Sequence, residues 1–146
     1  MVKNERGFTL IEALVSLVIV SIFTLVSFPF VVNLYDYIRL NQALTMIQAD
    51  LHYVRDFNMM PLQDDQRMTL RIYHDQDRYV ILANQEVRLE RDLPQNVSMP
   101  SQNTVTNITF NARGNLGMGR TILITSSQHE RRLVFSVGVG GFDVRR

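Results

Sequence analysis

Three textures follow one another along this chain. Residues 1–7 are polar, with Lys3 and Arg6 set against Glu5. From residue 8 to residue 35 apolar side chains run almost unbroken, and Glu12 is the single charge among them. Apolar positions then thin to a stripe through Leu34, Ile38, Leu44, Ile47, Leu51 and Val54, at three-, four- and seven-residue steps. That spacing is the period of a helix with one buried face. Asp36, Arg39, Asp50, Arg55 and Asp56 fall mostly off the stripe, so it reads as the core side of the helix. Pro61 disfavours helical geometry at the residue before it and should end the helix near residue 60.

Beyond Pro61 the period drops to two. Residues 67–74 alternate through Met68, Leu70 and Ile72, and Asp75-Gln76-Asp77 reads as a turn. Residues 78–83 form an apolar strand, and Asn84-Gln85 can turn the chain into a strand over 86–90. Residues 97–110 hold one or two weaker strands, interrupted at Pro100 and Asn103. Residues 108–110 and 120–125 read as a hairpin closed by the glycine-rich loop 111–119, with further strands at 131–137 and 142–144. Strands at this spacing predict an antiparallel meander. The fold class expected is therefore α+β, one long N-terminal helix with its C-terminal half packed on an antiparallel sheet.

About 20 apolar residues span a bilayer as a helix, so the first part of the helix is long enough to cross a membrane. The basic residues lie before it, while Asp36 and Arg39 cancel after it, which predicts the N-terminus on the cytoplasmic side and the head outside. A cleaved secretory signal would have a shorter apolar run ending at small residues. A plain signal anchor accounts for the length and the orientation but not for Glu12. A carboxylate inside an apolar span costs about 2.5–3.5 kcal/mol at the centre and less near an end.

The residues around that glutamate carry a family likeness. Lys3-Asn4-Glu5-Arg6-Gly7-Phe8-Thr9-Leu10-Ile11-Glu12, followed directly by an uncharged span, resembles the class III signal of type IV prepilins and pseudopilins. The resemblance implies that prepilin peptidase cuts between Gly7 and Phe8 and that the new N-terminal Phe8 is N-methylated. Glu12 becomes the family's assembly glutamate, pairing with the α-amine of a neighbouring subunit or with that of its own chain. A buried carboxylate is far less costly beside a positive partner. Pro29 matches the family's helix-interrupting proline, and a kink or local melting is expected there. The expected organisation is a leader at 1–7, a transmembrane and filament-core helix at 8–32, an amphipathic helix of the head at 33–60 and a β head at 61–146.

No catalytic constellation accompanies this signal. His52, His74 and His129 are scattered and share no zinc spacing. Asp64-Asp65 and Asp75-x-Asp77 lack the rest of an EF-hand loop and read as turn residues. The 113–119 loop is rich in glycine but has no P-loop lysine, and Ser126 and Ser127 have no G-x-S-x-G context. With no cysteine there is no disulfide, thiolate metal site or lipoprotein anchor. No enzyme activity, metal or cofactor is expected. Removing the leader takes away Lys3, Arg6 and Glu5 and brings the formal charge from +1 to zero. Arg131-Arg132 and Arg145-Arg146 are accompanied by Glu130 and Asp143, so a solvated face is preferred to direct DNA binding.

The short head and the glycine-rich, basic C-terminal end are similar to the ComGD-type minor pseudopilins of Gram-positive competence systems. That likeness implies a non-catalytic role in a transformation pilus for DNA uptake, with other pseudopilins of the filament, prepilin peptidase and, indirectly, an assembly ATPase and membrane platform as partners. A minor pseudopilin of type II secretion, with a protein cargo, is the alternative.

Overall fold

The computed structural model describes residues 9–60, 67–136 and 141–145. Among them one helix, α1 (Leu10–Met59), precedes seven strands. These are β1 (Met68–Tyr73), β2 (Arg78–Ala83), β3 (Glu86–Asp92), β4 (Val105–Thr109), β5 (Arg120–Thr125), β6 (Glu130–Phe135) and β7 (Phe142–Arg145). The architecture is the expected α+β, a long N-terminal helix followed by antiparallel sheets. The chain divides into two compact units, one ending at Tyr35 and the other beginning at Asp36.

In the first unit the large apolar side chains face outward, with Leu10 82 % and Phe30 79 % exposed. By length and apolarity this helix can cross a membrane. Its hydroxyls are satisfied internally: Ser16, Ser21 and Thr24 donate to the carbonyls of Glu12, Leu17 and Val20 at 2.7, 2.7 and 2.8 Å. A bilayer core offers no water to do this instead. Pro29 lies inside α1, which runs past it unbroken, so no melted turn is present there.

In the second unit the strands form two sheets, ordered β3-β2-β1-β4 and β5-β6-β7, where a single meander was expected. The β1–β2 turn has Asp77 at φ 46°, and the two-residue β2–β3 turn has Asn84 and Gln85 at φ 51° and 68°. Two positive φ values in succession are the turn type that matches hairpin twist. The chain then leaves neighbour-to-neighbour order, because β4 returns to pair with β1. Thr106 and Ile108 of β4 are buried, and its outer positions pair with β1. Thr69 Oγ1 and Thr109 Oγ1 lie 2.8 Å apart, and Arg71 Nε donates to Asn107 Oδ1 at 2.9 Å.

Residues 108–110 and 120–125 thus do not form the expected hairpin, since β5 pairs with β6 instead. The intervening loop closes on itself. Phe110 bridges to Leu116, and Asn111 Oδ1 accepts from the N–H groups of Arg113 and Asn115, both at 2.9 Å. Gly114 in that loop has φ +72°, a conformation that side chains strain to reach.

Both sheets share one core with α1. Leu40, Ala43, Leu44, Ile47, Leu51 and Val54 cluster with Leu70, Tyr79 and Ile81 of the first sheet and with Ile122, Leu133 and Phe135 of the second. The expected stripe needs two corrections. Leu34 and Ile38 are exposed, whereas Asp36 and Asp50, assigned to the polar side, are buried at 5 % and 7 % exposure. Asp36, Ala43 and Asp50 stand seven residues apart and occupy the same side of the helix. The two carboxylates are tolerated there because Asp36 meets a backbone donor from the β5–β6 turn and Asp50 meets side-chain donors from β2 and β3.

Candidate functional site

The site marked by the sequence is the start of α1. Gly7 and Phe8, the expected cleavage and methylation positions, lie outside the described residues. Thr9 and Glu12 are described, and they hold each other. The Thr9 N–H and the Thr9 hydroxyl both donate to Glu12 Oε2 at 3.0 Å, and the Glu12 N–H donates to Thr9 Oγ1 at 3.3 Å. This is a reciprocal capping box, in which an N-cap threonine and the glutamate three residues later satisfy each other's otherwise unpaired backbone donors. Such caps contribute about 1 kcal/mol.

The box gives Glu12 an occupation that the expected charge pairing did not include. Its carboxylate sits at the positive end of the helix dipole, which favours a negative group. The signal was legible, since Thr9-x-x-Glu12 ahead of an apolar run is the sequence form of the box. Reading Glu12 only for its charge overlooked Thr9.

In the head, three buried polar side chains of α1 each fasten a different part of the sheets. Asp36 Oδ2 accepts the backbone N–H of Gln128 at 3.0 Å and so holds the β5–β6 turn. Asp50 Oδ2 accepts from the Tyr79 hydroxyl at 2.6 Å and from Arg91 Nε at 2.7 Å, and Arg91 Nη2 reaches Oδ1 at 3.5 Å. Tyr79 and Arg91 are cross-strand partners of β2 and β3, so one carboxylate binds both strands. Burial and the Asp50 carboxylate push the Tyr79 phenol above its ordinary range. The bond to that carboxylate raises the Arg91 guanidinium as well. Asn58 spans β1 and the residue after β4: its Nδ2 donates to the Met68 and Phe110 carbonyls at 2.8 and 3.1 Å, and its Oδ1 accepts the Met68 N–H at 2.7 Å.

The remaining candidates from the sequence are occupied structurally and stay apart. His74 bonds the Met99 carbonyl through Nδ1 at 2.7 Å and Thr106 Oγ1 through Nε2 at 2.8 Å. His52 packs on Phe142 and His129 on Tyr37. Asp77 Oδ1 accepts the Met99 N–H at 3.1 Å, a turn role, while Asp64 and Asp65 lie outside the described residues. Ser126 Oγ donates to the backbone carbonyl of His129 at 3.2 Å and accepts its N–H at 3.3 Å. Among the described residues no group of three histidine, cysteine or acidic side chains could hold a metal ion. Arg132 lies directly across from Arg145, and each has its own carboxylate, Glu130 at 3.2 Å and Asp143 at 3.7 Å.

Comparison with known proteins identifies one feature. The model of the prokaryotic N-terminal methylation motif matches residues 2–28. No curated protein and no solved structure matches the chain. The motif is the type IV pilin-like signal and supports a pilin or pseudopilin processed by prepilin peptidase. A long N-terminal helix followed by antiparallel sheets is consistent with the type IV pilin-like α+β fold.

Proposed function

We infer that the chain is a minor pseudopilin. Prepilin peptidase cuts it between Gly7 and Phe8, Phe8 is N-methylated, and the mature subunit enters a transformation pilus that serves DNA uptake. The head is non-catalytic and faces outward from the cell membrane until assembly carries it into a surface filament. Glu12 sets the register of assembly through the α-amine of a neighbouring subunit, and Pro29 kinks the helix. Its partners are sister pseudopilins and the peptidase, with an assembly ATPase and membrane platform acting indirectly.

The observation that carries this reading is Glu12 itself, the lone carboxylate in the exposed apolar part of α1 up to Tyr35, a helix that begins inside the methylation motif. A capping box accepts glutamine as well as glutamate. Glu12→Gln therefore keeps the bond to Thr9 and removes only the charge, whereas Glu12→Val removes both. Cross-linking to sister pseudopilins is compared among the three chains at equal membrane abundance. Loss of cross-links and of DNA uptake in Glu12→Gln is the expected result. Undiminished cross-links in Glu12→Gln, with a defect confined to Glu12→Val, would assign Glu12 to capping alone. Normal transformation with loss of a secreted protein would move the chain to a type II secretion system.

A further inference from the structure

One short extended segment stitches the two sheets of the head together. Ser98 exchanges both backbone bonds with Thr125 of β5 at 2.9 Å, in antiparallel sense, and the two hydroxyls lie 3.0 Å apart. The next residue turns the other way. The Met99 N–H donates to Asp77 Oδ1 at 3.1 Å, and the Met99 carbonyl meets His74 Nδ1 at 2.7 Å. Val97 and Met99 are buried. Residues 97–99 thus act as a strand between β5 and the β1–β2 turn. Continued in the same register, the segment would set Pro100 opposite Leu123. Proline has no N–H to give the Leu123 carbonyl, and the pairing stops there.

An open edge is left behind. Successive residues of an antiparallel strand turn their backbone groups to opposite sides. Because Thr125 faces Ser98, Leu123 and Thr121 face the same side, away from β6. Among the described residues nothing bonds their N–H and C=O groups there. Thr121-Ile122-Leu123-Ile124-Thr125 is uncharged, and four of its five residues are β-branched. Such an edge pairs readily with another chain, and folded proteins blunt edges with charges. The edge strand β3 carries Glu86, Arg88 and Glu90, and β7 carries Asp143 and Arg145, whereas β5 has only Arg120 at its start. The edge opens on a cleft of about 350 Å³, lined also by His74, Pro100, Met118 and Thr106 of β4, the remaining edge strand. We propose that this cleft takes an extended, uncharged segment of a neighbouring pseudopilin, which continues the line of residues 97–99 along β5. In strand addition of this kind backbone bonds, here to Thr121 and Leu123, supply affinity, and alternate side chains supply selectivity. The guest side chain opposite Ile122 is the one on the cleft side. The inference rests on the proposed place of the chain in a filament and adds which surface of the head a sister subunit engages.

Thr121 stands opposite Val134 and turns its backbone groups away from β6, so Thr121→Pro removes an edge donor and leaves the β5–β6 ladder whole. Thr121→Ser keeps the donor. The full chain, with a photo-cross-linking benzophenone residue in place of the exposed Met118, is co-expressed with its sister pseudopilins in membranes. Illumination should yield a cross-link to a sister subunit, and mass spectrometry should place it in an uncharged segment. Thr121→Pro should weaken the cross-link severalfold, and Thr121→Ser should leave it unchanged. Pro100→Thr restores the missing N–H, lets the chain's own segment continue along β5, and should weaken the cross-link as well. A cross-link undiminished by both Thr121→Pro and Pro100→Thr at equal membrane abundance, or one to a second copy of this chain, overturns the proposal. The cross-links used for the Glu12 comparison, measured on the same membranes, separate this failure from failure of the filament reading. A chain that keeps those and gives none at 118 refutes strand addition alone, and a chain that gives neither refutes both.

Discussion

Tyr79→Phe removes one hydroxyl from an enclosed polar contact of the head. Tyr79 is 0 % and Asp50 7 % exposed, and the hydroxyl lies 2.6 Å from a carboxylate oxygen. A hydrogen bond to a charged group contributes about 1.5–3 kcal/mol. Arg91 remains at 2.7 Å to hold Asp50, so the low end, about 1.5 kcal/mol, is expected. For a head of this size that is a drop in Tm of roughly 6 °C. The assay is chemical and thermal unfolding of the soluble fragment from Asn33 onward, which should be monomeric and mixed α/β. A double-mutant cycle with Asp50→Ala isolates the pair.

The same residue predicts a pH signature. Burial, then the bond to Asp50, raises the phenol, while Arg91 acts weakly the other way. A phenol that holds its proton more tightly in the folded state than in the unfolded state contributes stability that is whole below the unfolded pKa near 10. That contribution is lost at about 1.4 kcal/mol per pH unit above it. Wild type and Tyr79→Phe should therefore differ at neutral pH and converge as pH rises past about 10. Parallel stability curves across that window, or a zero coupling energy with Asp50→Ala, would refute the reasoning.

Other perturbations separate the remaining contacts. Asn58→Ala leaves the Met68 N–H and two carbonyls unpaired in the core and should cost about 2–4 kcal/mol, read from the shift in denaturant midpoint. Gly114→Ala should lose about 1–3 kcal/mol, chiefly from forcing a side chain to φ +72°, because the Met59 sulfur 2.6 Å from the new Cβ belongs to a flexible side chain that can move. N-terminal mass spectrometry after co-expression with a prepilin peptidase should find methylated Phe8, an intact Met1 terminus would contradict the processing proposal, and Gly7→Leu should block cleavage without blocking insertion. Chelators and reductants should leave the melting temperature of the head unchanged.

The sequence alone determined the parts of this protein governed by local chemistry. A run of apolar residues long enough to span a bilayer, a short polar stretch before it and a single glutamate inside it need no tertiary partner to be read. The helix that follows, its end near residue 60 and the Asn84-Gln85 hairpin come from period and turn chemistry, which are properties of neighbours in the chain. Thr9 and Glu12 were readable by the same rule, as an N-cap and its third residue.

Only the tertiary structure decided how the strands were shared out. β4 could have paired with its successor, but its buried face and its Thr109 and Asn107 bonds are satisfied against β1, more than thirty residues earlier in the chain. Likewise Asp36 and Asp50 resemble solvated residues by type. They are buried because a backbone N–H from the β5–β6 turn, and a phenol and guanidinium from β2 and β3, arrive from distant segments to meet them. A buried carboxylate costs several kcal/mol unless such donors are present, and no pattern along the helix reveals whether they will be. Long-range pairing settles that question after local structure has already formed.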